Sequence, residues 1–319
     1  MDRQRILLLG LLRLLNGTQW SFVAREARRA GSLQHLIEGR CFETSKVARE
    51  SMAQISAQRD ELNQACDGAL AIIDAAAVDG IHLTTILDED FPANLRTIDQ
   101  VPPLLFYRGS LKACDSVALA IVGTRGASAD GLQRARSLST MLARARVTVV
   151  SGLARGIDTA AHEACLEAGG RTIGVLGSGH RHMYPPENAA LADRISGVGA
   201  VVSQFWPETA PSRKTFPIRN AVSSGLSLGT VVIEASHTSG AKMQARLALE
   251  QGRVVLLPRS LVESQQWARD FLERGAVEVP SVERLQHDLE HLLGPVDKRC
   301  ADEPEGAEAC EQSKLFAIG

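Results

Sequence analysis

Val117-Ala-Leu-Ala-Ile-Val-Gly-Thr-Arg-Gly-Ala-Ser128 decides the fold. Its first six residues are apolar without alternation, which reads as a short strand buried on both faces. Glycine follows at once, and Ser128 stands where a helix cap is needed. The helix predicted over Ser128–Ala145 sets Leu132, Ala135, Leu138, Leu142 and Ala145 on one face and leaves Arg134, Arg136 and Arg144 off it. Downstream the same unit recurs. The apolar runs Val147–Val150, Thr172–Leu176, Ala200–Ser203, Thr230–Glu234 and Arg253–Leu257 alternate with helical segments, and 261–292 adds one or two helices. Strand, glycine and helix in repetition predict an α/β domain over 115–292, with a mostly parallel sheet covered by helices on both faces.

Outward from this core the chain changes character. Residues 1–80 read as a small all-helical module. Leu7, Leu8, Leu11, Leu12 and Leu15 recur at helical spacing until Gly17, Ala24, Ala27 and Ala30 resume the pattern until Gly31, and Ser32 is placed to cap the next helix. Packing or partner contact accounts for such a module more simply than nucleic-acid contact. The basic start and the apolar run Ile6–Leu15 imitate a signal peptide, but Arg13 interrupts the run and Asn16–Trp20 offers no small-residue cleavage pattern. The run is also too short to span a membrane, so it reads as a buried first helix. Residues 81–114, punctuated by Phe91-Pro92 and Val101-Pro102-Pro103, read as a connector packed on the next domain. The final stretch, 293–319, reads as an acidic, mobile tail.

The chain has 319 residues, 45% of them hydrophobic, which excludes intrinsic disorder and predicts one large core with a smaller companion. Its formal net charge of −2 excludes a broadly basic coat. The charges are uneven, however: Asp302, Glu303, Glu305, Glu308 and Glu311 crowd the tail against Lys314 alone, which leaves a slightly basic body. Lysine occurs only at 46, 112, 214, 242, 298 and 314, so most of the 35 basic residues are arginine. Arginine suits bidentate contact with phosphate, although a GC-rich coding bias explains the preference as simply. Aromatic residues make up 4%, few for a protein that stacks bases on aromatic platforms. Cys41, Cys66, Cys114, Cys165, Cys300 and Cys310 form no CxxC pair and suggest free thiols in a reducing cytoplasm.

Ligands of open α/β sheets bind where strand ends lead into helix N-termini. This chain places small residues there four times: Gly123-Thr124-Arg125, Ser151-Gly152, Gly177-Ser178-Gly179 and Ser239-Gly240. Each alone is an ordinary tight turn; four on one sheet edge favour a phosphate-lined cleft. No Walker A loop or G-x-G-x-x-G fingerprint is present, which argues against classical ATP hydrolysis and hydride transfer. Arg125, directly after a strand, favours phosphate contact over a surface salt bridge. For Arg219 and Asn220, at the start of a helix, phosphate contact and plain surface exposure are equally good readings. Asp158 and His162 are spaced for an acid–base pair, but an Asp that caps amides above a packed His is the commoner arrangement. His180 and His182 flank Arg181 without a third ligand and define no metal site. Glu234 is the best-placed catalytic carboxylate, or equally a fixed acceptor that holds the Ser239-Gly240 loop.

Ala120-Ile-Val-Gly-Thr-Arg125, Ser151-Gly-Leu-Ala-Arg-Gly-Ile-Asp158 with Ala161-His162, and Val175-Leu-Gly-Ser-Gly179 resemble the DNA-processing protein A family (DprA, also called Smf). The likeness continues through Tyr184-Pro185, Glu187-Asn188, Phe216-Pro217, Arg219-Asn220, Val232-Ile-Glu-Ala235, Ser239-Gly240 and Ala245–Arg253, in order over roughly 90–280. It implies an extended Rossmann-like domain, preceded by a sterile-alpha-motif-like helical domain. It further implies a non-enzymatic, cytoplasmic homodimer without cofactor that binds single-stranded DNA and loads the RecA recombinase during natural transformation. The phosphate-facing set implied for this chain is Gly123, Arg125, Ser151, Gly152, Gly177, Gly179, Arg219, Asn220, Ser239, Gly240 and Lys242. The family's separate winged-helix domain has no counterpart in the short stretch after the last predicted helix.

Several positions depart from the family pattern. Ala221 stands where R-N-R ends, Ala241 and Gln244 replace hydroxyls of the S-G-S-x-x-T-A loop, Gln204 replaces an acid and Arg259 a glycine. Lys242, Arg259 and Arg213-Lys214 are available to offset the lost arginine. These departures keep open a rival reading, a nucleotide sensor or a phosphoribohydrolase-like enzyme with Glu234 as its carboxylate. The P-G-G-x-G-T-x-x-E loop of that enzyme group is absent here.

Overall fold

A computed structural model describes residues 2–15, 17–30, 32–280 and 285. The tail 293–319 and Gly31 lie outside the described residues. The N-terminal module consists of α1 (Arg3–Leu14), α2 (Trp20–Ala30), α3 (Gln34–Ile37), α4 (Lys46–Ala57) and α5 (Leu62–Val78). The apolar run that imitates a signal peptide is α1, with Leu8, Leu9, Leu11 and Leu12 fully buried. Gly10 lets α5 approach closely, since a Cβ there would lie 2.3 Å from Cys66 Sγ. The Ser32 hydroxyl accepts from the Gln34 amide, as a helix-start residue should.

The remaining elements are β1 (His82–Thr85), β2 (Leu104–Gly109), β3 (Ala118–Val122), α6 (Ala129–Arg144), β4 (Thr148–Ser151), α7 (Ile157–Glu167), β5 (Thr172–Val175), α8 (Ala189–Val198), β6 (Ala200–Ser203), α9 (Thr215–Leu226), β7 (Gly229–Val232), α10 (Gly240–Glu250), β8 (Val254–Pro258), α11 (Arg259–Ser264), α12 (Gln266–Glu273) and β9 (Val277–Val279). All nine strands form one sheet in the order β1-β2-β6-β5-β4-β3-β7-β8-β9. The seven strands from β6 to β9 run parallel. Every apolar run read as a strand is one.

Two features exceed the sequence expectation. The 81–114 segment does more than connect: β1 and β2 extend the sheet antiparallel beyond β6. Beyond β8, the short strand β9 falls inside 261–292, the stretch expected to add only helices. Its three residues alternate charged and apolar and carry too little pattern to be read alone. One detail also differs: Ala145, assigned to the buried face of α6, caps its end and is exposed.

The helical module and the sheet share one continuous core. Leu8, Phe22, Leu36 and Ile55 belong to the same buried cluster as Phe106, Val150, Ile173 and Val202. Trp206, just after β6, meets Trp20 edge to face at 6.4 Å between centroids. Arg181 braces the outside of the joint, paired with Asp79 at 2.7 Å and Glu208 at 2.6 Å.

Candidate functional site

From β3 the chain steps through β4, β5 and β6 to one side, then crosses back so that β7, β8 and β9 extend the other. The loops after β3 and β7 therefore diverge, and a crevice opens between them at the carboxyl ends of the strands. A cleft of about 300 Å³ occupies this point. Gly123, Thr124 and Arg125 line it from the β3 loop, Phe216, Arg219 and Asn220 from α9, and Ser239, Gly240, Ala241 and Gln244 from the start of α10.

Local sequence explains this convergence. Ser239 caps α10 by accepting from the Lys242 amide at 3.1 Å, which leaves the amides before it at the helix N-terminus without intrahelical partners. Asn220 ties α9 to α10 by donating to the Gly240 carbonyl at 3.2 Å. Gly123 permits close packing of α7, because a Cβ there would lie 2.4 Å from the Ile157 side chain. Arg125 is exposed and makes no ion pair or hydrogen bond among the described residues; its guanidinium carbon lies 5.6 Å from the Phe216 ring centroid.

The four glycine-bearing loops do not act alike. Those after β3 and β7 border the cleft, and the loop after β4 reaches it with Ala154 and Asp158. The loop after β4 is folded around Asp158, whose carboxylate accepts from the amides of Gly152 at 3.1 Å and Ala154 at 3.3 Å. Asp158 is therefore a cap. His162 packs beneath the loop, with Nδ1 2.7 Å from the Thr172 hydroxyl, and burial lowers its pKa to about 3. The Ser151 hydroxyl donates inward to Ile121 O at 2.6 Å. After β5, Gly177 lies under the Phe216 ring and Gly179 donates its amide to Thr209 O at 2.8 Å, so both serve packing.

Arg219 is not the plain surface residue of one reading: it lines the cleft but is turned inward. It is 7% exposed, and it donates to the Gly152 carbonyl, to Val175 O at 2.9 Å and to Asn220 Oδ1 at 3.1 Å. A Cβ on Gly152 would collide with it. Carbonyls at the ends of β4 and β5 and the nearby Asp158 charge hold this guanidinium inside. Burial pushes the Asp158 carboxyl up, Arg219 and the two amides pull it back, and burial pushes Arg219 down.

Glu234 is a fixed acceptor, but of a different loop from the one expected. Its Oε2 accepts from the Ser128 hydroxyl at 2.8 Å and the Ser128 amide at 3.1 Å, so it holds the start of α6. It is not among the residues that line the cleft. Lys242 also lies off the cleft, with Nζ 6.0 Å from the Trp267 ring. Arg259 pairs with Glu278 at 2.8 Å, whereas Arg213 and Lys214 are exposed at the start of α9.

Two aromatic residues were not foreseen as site residues. Phe216 has Arg125 on it at 5.6 Å and Arg219 at 5.9 Å, and Tyr184 lies 5.7 Å from its ring and is 40% exposed. Both precede a proline in the motifs quoted above, and that was the available signal. Among the described residues no group of side chains could hold a metal ion, and none of the helices is long and apolar enough to cross a membrane. Cys41, Cys66, Cys114 and Cys165 are in no disulfide among the described residues; Cys300 and Cys310 lie outside them.

A doubly wound sheet with a cleft at its switch point defines a Rossmann-like α/β protein. The family model for DNA recombination-mediator protein A matches residues 82–290, and the chain belongs to that family. It is 35% identical to DNA processing protein DprA of Bacillus subtilis over 246 residues, which cover 76% of this chain and 82% of that one. The X-ray structure of DprA from Streptococcus pneumoniae superposes with a TM-score of 0.72 at 28% identity, over 90% of this chain and 99% of that chain. A Helicobacter pylori DNA processing protein A, described with a single-stranded DNA binding mode, matches at TM-score 0.59 and 25% identity, over 66% of this chain and 96% of its own.

Proposed function

We propose that the switch-point cleft binds the sugar-phosphate backbone of single-stranded DNA, and that the protein protects such DNA and hands it to a RecA-type recombinase during natural transformation. One observation carries the binding step: Arg125 stands exposed, without an ionic partner among the described residues, at the mouth of a cleft that also contains the α10 N-terminus. A free guanidinium beside free amides is a phosphate site by charge and by geometry. The H. pylori relative's described binding mode supports the same ligand. Binding requires no cofactor or bond-breaking group, and Glu234, the carboxylate of the rival enzymatic reading, is engaged at the start of α6 away from the cleft. On this proposal the protein acts in the cytoplasm as a homodimer.

Titration of labelled single- and double-stranded DNA at two salt concentrations, with mononucleotides as competitors, tests the proposal. Tight, length-dependent and steeply salt-sensitive binding of the single strand is expected. Mononucleotide displacement or cleavage without DNA binding would overturn it.

A further inference from the structure

Among the described residues, the cleft wall includes a buried polar side chain that the fold leaves unpaired. Gln244 lines its wall one turn into α10, is 3% exposed, and its amide nitrogen has no hydrogen-bond partner. Its neighbours differ. Asp158 holds two loop amides, Arg219 holds two carbonyls, and Asn220 bridges Arg219 and Gly240. A buried amide without a partner is unfavourable in the free protein, so its persistence beside an open cleft points to a partner that arrives with a ligand.

The surroundings select the acceptor. The α10 N-terminus and the Arg125 guanidinium both favour negative charge, so the oxygen Gln244 meets is anionic. We infer that Gln244 donates to a non-bridging phosphate oxygen of bound single-stranded DNA, as an uncharged contact inside the cleft. This assignment rests on the DNA-binding reading above and adds a distinct physical signature to it. Cationic contacts weaken with salt because they release counterions, whereas a neutral donor releases none. Gln244 therefore raises affinity by one factor at every ionic strength.

The test uses Gln244→Met, which keeps length and flexibility while removing both polar ends, and Gln244→Glu, which places charge in the same volume. Oligonucleotide affinity is measured at about 50 and 200 mM salt, with a thermal midpoint for each variant. Gln244→Met should bind about ten-fold more weakly at both concentrations. Its salt slope should be unchanged, and its melting temperature no lower than that of the parent. Gln244→Glu should bind more weakly still, because its carboxylate meets a phosphate. Unchanged affinity in Gln244→Met would overturn the assignment, and so would a lowered melting temperature, which would show the amide to be engaged within the fold. Binding by Gln244→Glu at least as tight as by Gln244→Met would overturn the phosphate as acceptor. If the parent protein binds no single-stranded DNA, the cleft reading itself has failed, and that is seen before any variant is made.

Discussion

Arg125 and Arg219 show how far a residue's role depends on what surrounds it. Both follow turn signals at the same sheet edge. One emerges into solvent over the Phe216 ring, while the other turns inward to carbonyls at the ends of β4 and β5. Arg125→Ala should weaken single-stranded DNA binding equally for all sequences and lower the salt slope by about 0.7, the share of one phosphate contact on a single strand. Filter binding across a salt series reads this; an unchanged slope would remove Arg125 from the interface. The position of Arg125, directly after a buried strand, was enough to mark it. The inward turn of Arg219 was not legible, because it depends on the Gly152 and Val175 carbonyls, far from it in the chain. Ser151, Gly177 and Gly179 misled for the same reason: a glycine turn reads alike whether its amides face a ligand or a neighbouring loop.

Among the elements, the strands and α6 were readable because burial on both faces and one-sided amphipathicity leave strong local patterns. The edge was not. β1 and β2 join the sheet through pairing with β6, a long-range choice that local composition does not encode. The start of α6 shows the same dependence. Ser128 caps the helix by accepting from the Gly131 amide at 3.0 Å, and Glu234, one strand away, accepts from Ser128 in turn. Glu234→Gln retains an acceptor but removes a negative charge beside a helix N-terminus, which should cost about 1 kcal/mol of stability. Urea unfolding should show the lowered midpoint while DNA affinity stays near that of the parent. A loss of binding with stability intact would return Glu234 to the site.

For the molecule as a whole, pH reports on two histidines, the buried His162 and the half-buried His180. Burial lowers His180 to about 4, where it contacts Phe106 O, and His162 to about 3. Both are neutral in the fold, whereas in the unfolded chain they take up protons near 6.5. Their contribution is complete above about pH 6.5 and is lost as pH falls toward the folded values, because the unfolded state then binds more protons. Each group gives a slope of up to about 1.4 kcal/mol per pH unit in that window. The raised Asp158 carboxyl acts in the opposite sense, so the two effects are separated by a variant. His180→Asn should flatten the pH dependence of the melting temperature between about 6.5 and 4; an unaltered profile would show that His180 does not titrate on unfolding.

The core shared between the helical module and the sheet has a consequence for synthesis on the ribosome. The helices carrying Leu8, Phe22 and Trp20 emerge before the strands, yet the core they share is complete only once Phe106, Val202 and Trp206 join it. At about 5–20 residues per second, the completed module waits roughly 6 to 25 s for the last of the residues that cover it. During that interval its apolar surface is open to chaperones.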